Sequence, residues 1–194
     1  MTICSDLPLK TSTFYGREEE LLHIRQALDP SKAGRKSVVL SGISGSGKTQ
    51  LALQHIEQEM KSYSAIVWVN AFTKEHADQS LTETAVRMET SWPKDIPVIR
   101  SEHQKDSLSY VLSRLRTTIY RNWLLIIDSA DDTNYVTKYF PVCNHGSVLV
   151  TTTRNVGASR LGLSNSIHVG GLDKQRSWTR LKQISEREDT DEQG

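Results

Sequence analysis

The stretch SGISGSGKTQLA, residues 41 to 52, constrains this chain more than any other. Gly42, Gly47, Lys48 and Thr49 fit the pattern G-x-x-x-x-G-K-[ST], and the flanks supply the context that gives the pattern meaning. The β-branched run SVVLSG precedes it, and KTQLALQHIEQEM follows with Ala52, Ile56 and Met60 at helical spacing. A strand, a glycine loop and a helix in that order form a cradle for phosphate. Glycines at 42, 45 and 47 let backbone N–H groups turn inward at a helix N-terminus. Lys48 neutralises the β- and γ-phosphate charge, the Thr49 hydroxyl ligates Mg²⁺, and Ser44, Ser46 and Gln50 complete the loop.

A loop of this kind implies a second magnesium ligand, an acid at the end of a hydrophobic strand. WLLIID, residues 123 to 128, supplies Asp128 where a parallel strand meets the ligand crevice. AIVWVN (65 to 70) and SVLVTTT (147 to 153) read as further strands, and SIHVGGL as a short last one. Helical spacing marks 14 to 30, KEHADQSLTETAVRMET, a stripe of Leu108, Val111, Leu112, Leu115 and Ile119, and a closing helix around Trp178 and Leu181. Trp92, Pro93 and Pro97 mark a loop. Strands alternating with helices predict an α/β fold with a parallel sheet covered on both faces. Residues 1 to 13 read as a leader, 14 to 185 as the domain, and the acidic 186 to 194 as a disordered tail or a cut end.

Charge and composition exclude several other classes. Lys and Arg total 24 against 23 Asp and Glu, so nothing general draws the chain to nucleic acid. No apolar run is long enough to span a bilayer, and the start lacks the pattern of a secretory signal. Cys4 and Cys143 share no ligand spacing and the six histidines are scattered, so no zinc is predicted. A reducing, cytoplasmic setting fits best. Trp68 and Trp123 are expected in the core.

Taken together, FYGREEEL, GISGSGKTQLA, WLLIIDSADD and VLVTTTR resemble, in order and rough spacing, the NB-ARC nucleotide-binding domains of the STAND class of P-loop NTPases, which include NOD-like receptors. The resemblance covers roughly residues 12 to 185, and the IDSADD form looks most like fungal and bacterial members. It implies a three-layer α/β/α P-loop NTPase sandwich with a five-stranded parallel sheet in the order 5-1-4-3-2. It also implies an ATP/ADP-binding switch for signal transduction in innate immunity, with ADP held at rest and ATP exchange driving assembly through domains outside this chain. Tyr15, Gly16 and Arg17 match the motif lying by the adenosine end. Arg154, by itself read as a surface charge at the strand end, matches the arginine that reads the γ-phosphate.

The sequence departs from the family at Ser129, where many members carry a second acid beside Asp128 able to polarise the attacking water. Hydrolysis is therefore expected to be slow or impaired. Asp131 and Asp132 stand close by, and SADDT reads as a helix N-cap. The helical subdomain and winged helix of the family have no counterpart here, so the chain reads as the nucleotide-binding core of a larger switch or a fragment of one. Two alternatives stay open, a small-molecule or nucleotide kinase and a binding module without turnover. Against the kinase, some 40 residues and a helix precede the phosphate loop and no arginine-rich lid follows.

Overall fold

A computed structural model describes residues 3–11, 14–91, 106–117, 121–154 and 158–171. The expected loop around Trp92, Ile119, the closing helix at Trp178 and the acidic tail lie outside them. Six parallel strands form one sheet: β1 (Ile3–Cys4), β2 (Lys36–Ser41), β3 (Ala65–Asn70), β4 (Trp123–Asp128), β5 (Ser147–Thr152) and β6 (Asn165–His168), in the order β1-β3-β4-β5-β2-β6. The five expected strands stand in the expected order, with the phosphate-loop strand β2 between β5 and β6. Helices α1 (Glu18–Ala27), α2 (Lys48–Glu59), α3 (Lys74–Ser91), α4 (Ser107–Leu115) and α5 (Thr133–Val136) cover the sheet. None of the described helices is long and apolar enough to cross a membrane.

The four central strands β2, β3, β4 and β5 are buried on both faces, so they read as largely apolar runs, and side-chain alternation sorts them into two cores. Val39, Val67, Val69, Leu125, Ile127, Val148 and Val150 point to the side of α3 and α4 and pack with Leu81, Met88, Val111 and Leu115. Val38, Leu40, Ile66, Trp68, Leu124, Ile126 and Leu149 point to the other side and pack with Ile24, Leu28, Leu51 and Ile56 from α1 and α2. A strand slipped by one residue would exchange the two sets. The pairing of β2 with β5 therefore holds rigidly, from Lys36 opposite Ser147 to Ser41 opposite Thr152.

The structure adds the sixth strand to the five expected. β1 pairs with the outer edge of β3, and the residues after it strap the fold together. Ser5 Oγ accepts the Trp68 N–H at 3.0 Å and lies 3.1 Å from Thr84 Oγ1 on α3. Farther on, Lys10 pairs with Glu57, and the Thr11 N–H donates to Gln50 Oε1 at 2.9 Å. A two-residue strand has no periodicity to detect, which is why this segment reads from sequence as a leader.

On α2, His55 is buried and its Nε2 lies 2.8 Å from the Tyr63 hydroxyl. Burial, reinforced by the Arg25 charge, holds this imidazole at about 4, below the usual 6.5. The folded state thus binds fewer protons than the unfolded one in this range. The stability is present in full above pH 6.5 and is lost as pH falls from there toward 4, by about 3 kcal/mol for a shift of this size. Urea unfolding of the wild type and of His55→Gln at pH 7 and pH 4.5 checks this. The wild type should lose more stability than the variant between the two, and equal losses would show that His55 titrates normally.

Candidate functional site

The phosphate loop runs from the end of β2 to the start of α2. Gly45 and Gly47 both take positive φ, 74° and 94°, where L-residues are disfavoured and glycine is not. At Gly42 the constraint is a close approach, because a Cβ there would sit 2.3 Å from the Val169 carbonyl oxygen. Gly47 caps α2 without any side-chain bond, and the first turn of α2 carries no acid. The first N–H groups of a helix have no intrahelical partners and carry the positive end of its dipole, so this turn is left free for an anion.

Lys48 is buried, and its Nζ donates to the carbonyl oxygens of Gly42 and Ile43, each at 2.8 Å. Burial lowers the pKa of its ammonium from the ordinary lysine value, against the opposing pull of Asp131 and Asp128. Asp128 is also buried. The Thr49 hydroxyl lies 3.0 and 3.2 Å from its two oxygens, and Thr151 Oγ1 donates to it at 2.5 Å. Burial raises the pKa of this carboxyl above the usual value, although Thr151, Thr49 and Lys48 all pull the other way. A desolvated carboxylate beside a threonine hydroxyl, below an uncapped helix start, fits Mg²⁺ with nucleotide phosphates: Thr49 and Asp128 would hold the ion, and the phosphates would complete its shell. Among the described residues no group of three His, Cys, Asp or Glu could hold a metal by itself.

A cavity of about 270 Å³ opens over the loop, lined by Ser44, Gly45, Gly47, Lys48, Thr49 and Gln50 on one side and Ser129, Thr151 and Thr153 on the other. Gly42 and Ser46 are buried behind it. Gln50 divides its role, because its amide also holds the N-terminal strap at Thr11. Tyr15 and Gly16 lie outside the wall, but Arg17 reaches the loop from the start of α1. Its buried guanidinium donates to the carbonyl oxygens of Ser46 at 3.0 Å and Gly170 at 2.7 Å, and pairs with Glu20 at 2.7 Å. Arg17 clamps the back of the phosphate loop to the exit of β6. Arg154 leaves β5 at the same sheet edge with its side chain exposed, outside the cavity wall, its N–H donating to Thr152 Oγ1 at 3.1 Å.

The residues after Asp128 depart from simple expectation. Ser129 has φ 61°, a left-handed conformation that is uncommon and costly for a residue with a side chain. It lines the cavity, directly after Asp128. Only Asp132 plays the capping role read for SADDT, its carboxylate accepting the Asn134 N–H at 3.0 Å. Asp131 turns instead to the end of β5, where it accepts from Thr152 and Thr153. Sequence reasoning singled out Arg154 in TTTR and passed over the three threonines. The one signal for them was a run of hydroxyls following a strand that was expected to lie next to the Asp128 strand.

Sequence and structure comparisons bear on the fold and on the family. The AAA ATPase domain family matches residues 13–137. A nucleotide-binding leucine-rich repeat (NLR)-like protein of Hyaloscypha variabilis is 28% identical over 180 residues, an alignment that covers 82% of this chain and 18% of that protein. The chain thus spans less than a fifth of that relative's length. Among solved structures, Cdc6p from Pyrobaculum aerophilum superposes with a TM-score of 0.54 at 16% identity, over 83% of this chain and 47% of that one. Drosophila ORC bound to DNA gives 0.53 at 16% identity, over 84% and 44%. At such identity these two bear on the fold alone, and the fold they share with this chain is that of the P-loop ATPases. Because the family match extends over well over half of the sequence, this protein belongs to the AAA ATPase domain family.

Proposed function

We propose that the protein is the nucleotide-binding core of an NB-ARC-type STAND switch, cytoplasmic and of the NOD-like receptor kind. It holds ADP at rest, exchanges it for ATP and thereby favours assembly with protein partners or other copies through domains outside this chain. The observation that carries the reading is the pairing of a complete Mg-nucleotide cradle with a hydroxyl, Ser129, where a water-polarising acid would stand. A site built this way retains nucleotide far better than it cleaves it, which suits a latch more than an engine. The family match and the NLR-like relative support it. Lys48 and the loop N–H groups hold the phosphates, Thr49 and Asp128 hold magnesium, and Arg154 reads the γ-position. Bound magnesium would supply positive charge to offset that of the phosphates. Tyr15 and Gly16 border the adenosine end, with Arg17 setting the loop behind it. Signalling in innate immunity is the setting this reading implies.

Ser129 equally favours a second reading, a module that holds nucleotide structurally and never turns it over. Exchange separates the two, since a latch must release ADP. The experiment is to purify the protein without added nucleotide, denature it and identify what it releases. Stoichiometric ADP that exchanges for labelled ATP within minutes to hours is expected. A nucleotide that never exchanges would replace the switch with the structural module, and an empty site with rapid ATP turnover would remove both.

A further inference from the structure

β5 leaves the sheet through three consecutive threonines, and each hydroxyl meets an aspartate, either the one that ends β4 or one in the loop after it. Thr151 Oγ1 donates to Asp128 Oδ1 at 2.5 Å. Thr152 Oγ1 donates to Asp131 Oδ1 at 2.9 Å, and Thr153 donates twice more, its N–H to Oδ1 and its hydroxyl to Oδ2, both at 2.7 Å. The chain of bonds continues to Arg154, whose N–H rests on Thr152 Oγ1. Backbone bonds close the seam, with the Ala130 N–H donating to the Thr151 carbonyl oxygen at 2.8 Å. The magnesium-binding strand end and the turn that carries Arg154 are thereby joined by side chains.

We propose that Asp131 is the positioning residue by which this site tells a nucleoside triphosphate from a diphosphate, because its carboxylate fixes the 152–154 turn at the end of the cavity beyond the phosphate loop. The inference rests on the switch reading above and deepens it. Three donors occupy the two Asp131 oxygens and order the turn, so that Thr153 faces the cavity and Arg154 departs from a set point. A third phosphate would extend from the loop toward this opposite wall, whereas a diphosphate would be held by the loop and the start of α2. Asp131 does not act as the base for water. It lies outside the cavity wall, and its oxygens are already engaged. Partial burial works against its charge, but the bonds from Thr153 and Thr152 and the nearby Lys48 ammonium lower its pKa below the ordinary aspartate value, where it is a poor proton acceptor.

Asparagine at this position keeps the shape but turns an acceptor into a donor facing Thr153, so the turn loses its fixed geometry. Calorimetric titration of the full chain with ADP and with the non-hydrolysable analogue AMP-PNP, each with magnesium, tests the inference. In Asp131→Asn the affinity for ADP should stay within about twofold of wild type while that for AMP-PNP falls roughly tenfold. Thr153→Val removes one of the three donors and should lower the AMP-PNP to ADP ratio in the same direction, which keeps the test open should Asp131→Asn fail to fold. Asp132→Asn, altering only the cap of α5, should leave the ratio unchanged. Equal losses for both nucleotides, or an unchanged ratio in both Asp131→Asn and Thr153→Val, would overturn the role of Asp131 and leave the switch intact. Wild-type protein that binds neither nucleotide would overturn both.

Discussion

Lys48→Met loses nucleotide affinity by about two to three orders of magnitude while the protein stays folded. The methionine retains the length and apolar stem of the lysine, so the comparison isolates the ammonium. That group is buried and already lies on the Gly42 and Ile43 carbonyl oxygens, where it needs little reorganisation to meet phosphate. Each hydrogen bond involving a charged group contributes about 1.5–3 kcal/mol, and a tenfold change in affinity is about 1.4 kcal/mol. Loss of one or two such bonds to the β- and γ-phosphates therefore accounts for the expected range. The variant also leaves Asp128 and Asp131 without the cation that both of them face. Asp128, whose carboxyl burial already pushes toward protonation, should then hold magnesium less well. Titration with ADP at saturating and at limiting magnesium separates the two contributions, and thermal unfolding without nucleotide should show only a small change. Unchanged affinity would mean that the phosphates do not lie on this loop.

Legibility in the sequence followed the range of the interactions. The phosphate loop is a local object, with its glycines, its lysine and the helix start all within a dozen residues, so its strand, glycine turns and helix start are legible in the sequence. Asp128 was legible because a strand buried on both faces has an unmistakable apolar run and a definite end. Strand order within the sheet came only through the family resemblance, since nothing in the residues of β2 names β5 as its neighbour. Asp131 shows where local reading stops. Two adjacent aspartates before a helix both look like caps, and only the proximity of β5 to β4 assigns one to α5 and the other to Thr152 and Thr153. Arg17 is similar. Its motif pointed to the nucleotide, but its contacts to Ser46 and Gly170 join segments from opposite ends of the chain. The strap at residues 3 to 11 is held chiefly by polar side chains and a two-residue strand, which leave no hydrophobic pattern to find.

The largest effect on stability is expected at Gly146, far in sequence from the phosphate loop yet coupled to its placement. Gly146 precedes β5, takes φ 77°, and its carbonyl oxygen accepts the Lys36 N–H at 3.0 Å, which sets the start of the β2–β5 ladder. A Cβ at this position would lie 2.1 to 2.4 Å from the indole carbons of Trp123. That ring is fully buried in the core beneath α3 and α4 and has no room to withdraw. Gly146→Ala combines left-handed strain of about 1–2 kcal/mol with overpacking of about 1–3 kcal/mol, a loss of about 2–5 kcal/mol in all. Gly34→Ala is the internal control, because Gly34 has a similar φ of 83° and open space around its would-be Cβ, so it should lose only the strain. Chemical denaturation of the two variants gives the difference directly. Trp123→Leu in the Gly146→Ala background should recover part of the loss, since the neighbours are then no longer independent. If Gly146→Ala costs no more than Gly34→Ala, the Trp123 ring yields at little cost, and the β2–β5 register that sets the phosphate loop against Asp128 does not depend on it.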